Sequence, residues 1–101
     1  MRVIDPKYHI ENETIVKTLT DEPVPDDEPL ILFRARDRLA LPMLQIYKVL
    51  SEMDGCNAYH MGGVNRAISM FLDFKTKHPE KMKQPGVTMR QHFDRSYRTK
   101  E

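Results

Sequence analysis

The chain carries one cysteine, no tryptophan and only four glycines in 101 residues. With Cys56 alone, no internal disulfide can form and no cysteine-based tetrahedral zinc set can be assembled, so Cys56 reads as a small apolar filler. Nowhere does an apolar run approach the roughly 20 residues that a membrane-spanning helix needs, and no membrane association is expected. The opening MRVIDPKYHI places an acid and a proline where an export signal would carry an apolar stretch of about 7–15 residues, so a cytoplasmic protein is expected.

Catalytic signatures are missing as well. The sequence contains neither GxxxxGK[ST] nor GxGxxG, neither HExxH nor GxSxG, and Ser51, Ser69, Ser96 and Cys56 have no motif partner that would activate a nucleophile. His9, His60, His78 and His92 are too scattered to announce a metal site, and the acids from Asp21 to Glu28 lack the ordered spacing of a calcium loop. No enzyme activity, no cofactor and no metal are expected.

What is present is globular in composition, 40% hydrophobic and 31% charged, and of a size for one domain. The formal net charge of +1 conceals a polarity. Residues 1–29 hold three basic and eight acidic groups, whereas residues 75–101 hold eight basic and three acidic ones. Such an arrangement can steer a charged partner, or simply leave two solvated faces of opposite sign.

Tyr8-His9-Ile10 and Thr14-Ile15-Val16-Lys17 are β-rich and flank Glu11-Asn12-Glu13, where Asn tolerates the positive φ of a tight turn, so the spacing predicts a hairpin. Three prolines and five acids between Asp21 and Pro29 exclude a central strand or helix, after which Leu30-Ile31-Leu32-Phe33 reads as a strand buried on both faces, continuing to about Ala35. Pro42 suits the first turn of a helix, with Met43, Ile46, Tyr47, Leu50 and Met53 as its inner stripe and Gly55 as its stop. Asn57 is placed to cap a second helix whose inner stripe is Met61, Val64, Ala67, Ile68, Phe71 and Phe74 or Lys75, ending near His78-Pro79. Gly62-Gly63 sits awkwardly inside it, either marking a later helix start or permitting close backbone approach.

The expected fold is therefore α+β: a small antiparallel sheet, hairpin plus one strand, packed against two helices within residues 1–86, followed by a basic C-terminal extension over 87–101. In that extension Thr88 and Gln91 have capping-box spacing, and Met89, Phe93 and Tyr97 fall four apart, so a short helix is one option. So few elements bury little area. Apolar positions such as Leu39, Leu41, Met53 and Met89 are expected to remain exposed and to favour a homo-oligomer.

If the third strand runs past Phe33, Arg34, Arg36 and Arg38 share one face, and a row of guanidinium forks suits phosphate. His60, the Gly62 and Gly63 amides and Arg66 at a nearby helix start are further candidates for that anion site, with Tyr8 or Tyr47 available to stack on a base. The alternative without a ligand is that Arg34 and Arg36 pair with the acidic turn and Asp37 caps or bridges the next segment. Arg90, Arg95, Arg98 and Lys100, interleaved with His92, Phe93 and Tyr97, form a basic aromatic tail of the kind that tracks single-stranded nucleic acid, although the acidic N-terminal third would repel a polyanion.

The EPVPDDEPLILFRARD segment, with Tyr47, His60, Val64, Phe71 and Lys83-Gln84-Pro85 as a looser pattern, resembles small proteins of unknown function encoded by tailed bacteriophages and prophages, which share an EPIPDDEP–hydrophobic–LRA–D pattern. The resemblance spans roughly residues 8 to 85. It implies a small accessory protein in the bacterial host cytosol, where such proteins inhibit host enzymes or capture nucleotide defence signals, and it implies no catalytic residues. Two functions are expected from this. One is sequestration of a phosphorylated nucleotide signal by the arginine site; the other is inhibition or adaptor action on a host protein through the acidic turn or basic tail, with no small ligand.

Overall fold

In a computed structural model, which describes residue 5 and residues 7–86, the chain first turns back on itself at Asn12-Glu13. Both residues hold positive φ, 50° and 64°, the two-residue geometry whose twist matches that of paired strands. Strands β1 (Tyr8–Glu11) and β2 (Thr14–Lys17) pair antiparallel with His9 opposite Val16 and Ile10 opposite Ile15. Asn was the expected turn residue; Glu13 adopts the same left-handed region, which strains a residue with a Cβ.

After a second reversal at Asp21, whose φ is 57°, the acidic segment returns along β2. The Lys17 amide donates to the Glu22 carbonyl at 2.8 Å and the Val24 amide to the Ile15 carbonyl at 3.0 Å. Pro23 lies opposite Val16 between those two bonds, at a position where an antiparallel ladder asks for no N–H, and so its missing donor costs nothing. Val16, flanked by His9 and Pro23, is the one buried strand residue, 6% exposed.

Helix α1 (Ala40–Met53) is preceded by Asp37, whose Oδ1 accepts the Leu39 amide at 2.8 Å, satisfying one of the donors that a helix start leaves open. Its end is a Schellman arrangement. Gly55, at φ 73°, donates to the Glu52 carbonyl, and Cys56 donates to Ser51, the two reversed bonds that close a helix when the next residue is left-handed. Helix α2 (Ala58–Lys77) starts as expected on Asn57, whose Oδ1 accepts the His60 amide at 3.0 Å. It stops at His78 before Pro79, which opens a short 3-10 turn over Pro79–Lys81. Lys83 then runs parallel to Asp37, with Arg38 donating to Lys83 and Lys83 to Arg36, so the loop before α1 is tied to the chain beyond α2.

The class is α+β, with a two-stranded antiparallel sheet and two helices. Three expectations need correction. Leu30–Phe33 forms no strand and is not buried: the four residues are 50, 74, 71 and 43% exposed. The edge of β2 is taken by Glu22–Val24, and among the described residues Leu30–Phe33 pairs with neither remaining edge, since strand propensity alone does not supply a partner. The helices pack on each other, and among the described residues no strand makes a close backbone approach to either of them.

The second correction is the face that α1 buries. Leu41 and Ser51 are buried, with Leu44 and Lys48 half-buried between them; of the expected inner stripe Met43 is half-buried, while Ile46, Tyr47, Leu50 and Met53 are 46–79% exposed, Met53 having also been expected to lie open. Leu41, expected to be open, is only 7% exposed, and Leu39, at 61%, is open as expected. On α2 the expected stripe is inward, with Val64 buried and Met61, Ala67, Ile68, Phe71 and Phe74 half-buried. The third concerns Gly62 and Gly63, which lie within α2 rather than before it, and a Cβ on either would meet no atom within 4 Å. No close approach requires them. The expected C-terminal helix and Met89 lie outside the described residues.

Two substitutions check this reading of the turns. Glu13→Gly removes left-handed strain and is expected to stabilise the fold by about 1 kcal/mol. Gly55→Ala introduces such strain and is expected to destabilise it by about the same amount. Each appears in thermal unfolding as a shift of about 4–8 °C, in opposite directions.

Candidate functional site

The expected arginine row does not form. Arg34 to Asp37 is a tight turn, closed by the Asp37 amide on the Arg34 carbonyl at 3.0 Å, so the alternation of an extended strand does not apply. Arg34 and Arg38 are exposed and Arg36 is half-buried. The pairing alternative fares no better, because none of the three joins an ion pair among the described residues. Asp37 does cap the approach to α1, as that alternative expected.

The other candidates divide. Tyr47, His60 and Gly63 come together beside Leu44, Asn57, Tyr59 and Val64 around a cleft of about 430 Å³. Tyr47 meets His60 edge-on, with ring centroids 5.7 Å apart. His60 Nε2 lies 3.3 Å from the Ser51 Oγ, and Ser51 is the buried polar residue of the core, 4% exposed. Arg34, Arg36, Arg38, Gly62, Arg66 and Tyr8 do not line this cleft; Tyr8 sits half-buried on β1, and Arg66 and Gly62 are exposed on α2. Gly62 and Gly63 are the fifth and sixth residues of α2, inside its hydrogen-bond ladder, so their amides are committed to carbonyls one turn back and cannot cradle a phosphate.

The cleft is poor in positive charge. Lys7, at its rim, is paired with Asp5 at 3.7 Å. What remains is mainly apolar and aromatic surface with few polar groups, suited to a planar or uncharged group rather than to a phosphate, which needs converging guanidinium or amide donors.

A second grouping was not visible from spacing alone. His9 and Glu11 alternate on one face of β1, and Asp21 returns beside them, with ligand atoms of all three within 4.8 Å of one another. His9 Nε2 is 3.3 Å from Glu11 Oε2 and its Nδ1 is 3.1 Å from Thr18 Oγ1. Glu11 and Asp21 are exposed, and the polar atoms of His9 are already satisfied, so the grouping is accounted for as solvated surface.

A further feature lies in the segment ahead of α1. From Pro29 to Phe33 the chain runs without turn, bend or ladder, and no backbone amide or carbonyl of Leu30–Phe33 has a hydrogen-bond partner among the described residues. Immediately before it, Asp26, Asp27 and Glu28 are exposed and unpaired among the described residues. A row of open backbone donors and acceptors carrying large apolar side chains is a template for pairing with another chain. No helix among the described residues is long and apolar enough to cross a membrane. The chain matches no protein-family model, no curated protein and no solved structure.

The Ser51–His60 contact joins the two helices and is the polar link whose loss the fold should register. Ser51→Ala is expected to destabilise by about 0.5–1.5 kcal/mol in urea unfolding. In a double-mutant cycle with His60→Phe, a coupling of about 0.5 kcal/mol or more is expected; additivity would mean that the contact contributes nothing.

Proposed function

We propose that this chain is a non-catalytic interaction module that lends Leu30–Phe33, with the acids Asp26, Asp27 and Glu28 ahead of it, to the exposed sheet edge of a partner protein. The observation that carries the reading is the combination of apolar side chains at 43–74% exposure with backbone groups that are unpartnered among the described residues. Main-chain bonds to a partner strand would satisfy those groups, side chains of alternate residues would fill its pockets, and the acids select an edge rimmed by Lys or Arg. The resemblance to phage proteins points to a host protein as that partner.

Sequestration of a nucleotide-like anionic ligand is the second reading, and the observation favouring it is the Tyr47–His60 cleft, large enough for a base. Its phosphate anchors are the weak point, since Arg34, Arg36, Arg38 and Arg66 do not line that cleft. Binding of nucleic acid by the basic tail rests on Arg90, Arg95, Arg98 and Lys100, which lie outside the described residues.

Capture from bacterial lysate, followed by binding of the purified partner, tests the first reading. The complex is expected to weaken with salt and to protect the amides of residues 30–33 from hydrogen exchange. Leu32→Pro, which removes a donor at an exposed position, is expected to abolish binding with little change in unfolding temperature. Binding that survives Leu32→Pro without such protection refutes strand lending. Stabilisation by a nucleotide in a thermal-shift screen, lost in Tyr47→Ala, would move the assignment to the second reading.

A further inference from the structure

The exposed face of α1 has a regular spacing. Leu39, Met43, Ile46, Leu50 and Met53 follow one another at intervals of four, three, four and three residues, the repeat of a helix–helix seam, in which side chains of one helix insert between those of another. In the structure most of this seam is turned outward, with Met43 half-buried. Leu39 is 61% exposed, Ile46 63%, Leu50 55% and Met53 79%, with Tyr47 and Val49 alongside at 46% and 53%. Leu39, Pro42, Met43, Ile46, Tyr47 and Leu50 enclose a shallow groove of about 400 Å³ on the same face.

We infer that this face is closed by a second copy of the chain, α1 against α1 about a two-fold axis near Ile46. Area is the first argument. At roughly 200 Å² for a fully exposed large side chain, the six exposures given above leave on the order of 700 Å² of apolar surface. That is above what a monomer ordinarily leaves open and close to the roughly 800 Å² per partner of a stable interface. Self-complementarity is the second. Protruding Ile46 and Met53 and the groove that can receive them lie on one face of one helix, so a two-fold operation places each copy's knobs over the other's groove, as an isologous interface requires. Charge is the third: none of Leu39, Met43, Ile46, Leu50 and Met53 is ionisable, so two copies meet along the seam without like-charge repulsion between its own positions.

This interface goes beyond the strand-lending reading and uses another surface, so the two can fail separately. Light scattering on the full chain at tens of micromolar is expected to give twice the chain's 11.9 kDa. Ile46→Asp, placing a charge at the seam's centre, is expected to give the single-chain mass with helical circular dichroism retained. Leu19→Asp, on a residue 95% exposed in the turn after β2, is expected to remain dimeric, as is Leu32→Pro. Should Ile46→Asp fail to fold, Met53→Glu at the most exposed seam position is expected to raise the dimer dissociation constant at least about tenfold. A wild-type chain that stays at 11.9 kDa up to about 100 μM, or a dimer indifferent to both seam substitutions, overturns the inference.

Discussion

One thin helix–helix contact holds most of this fold, and its capacity decides what is left outside. Ala40, Leu41 and Val64, with Val16 in the hairpin, are the buried apolar residues among those described, and Ser51 is the buried polar one. Ser51 faces inward to His60, and residues three and four apart share its face. Leu41, Leu44 and Lys48 follow Ser51 inward; Ile46, Leu50 and Met53 are carried out. That hydrogen bond is one of the contacts on the buried face, beside the burial of Ala40 and Leu41.

The local boundaries were legible in the sequence because each is written in the backbone chemistry of one or two residues. Asn12 marks the hairpin turn, Gly55 ends α1 by taking a left-handed φ of 73°, Asn57 caps α2, and His78 before Pro79 stops it. None of these depends on distant parts of the chain. The strand expected at Leu30–Phe33 does depend on them. Strand propensity describes a residue's fit to a pleated surface, and it yields a strand only when a partner edge is free. Here Glu22–Val24 takes the edge of β2, despite a proline that argues against sheet pairing until the ladder position it occupies is known, and Leu30–Phe33 pairs with neither remaining edge among the described residues.

The site was less legible for the same reason. The alternation of Arg34, Arg36 and Arg38 is meaningful only on a strand, and the turn from Arg34 to Asp37 removes it. Tyr47 and His60 belong to different helices, and the Schellman turn at Gly55 brings them edge to edge. Periodicity correctly found an apolar stripe on α1, but a period of 3.6 does not say whether that stripe meets the chain's own core or another molecule. The His9, Glu11 and Asp21 grouping had a signal in the alternation of His9 and Glu11, yet Asp21 joins only through the second reversal.

Leu30–Phe33 and the exposed face of α1 are two apolar surfaces left open among the described residues, and the proposed dimer would cover the second. Folding coupled to self-association makes stability depend on chain concentration. Thermal unfolding followed by circular dichroism from about 2 to 200 μM measures that dependence directly. If the seam is closed by a second copy, the midpoint climbs steadily across the range. A midpoint that stays fixed, with reversible unfolding throughout, would mean that the helix pair is stable alone with its apolar face in water.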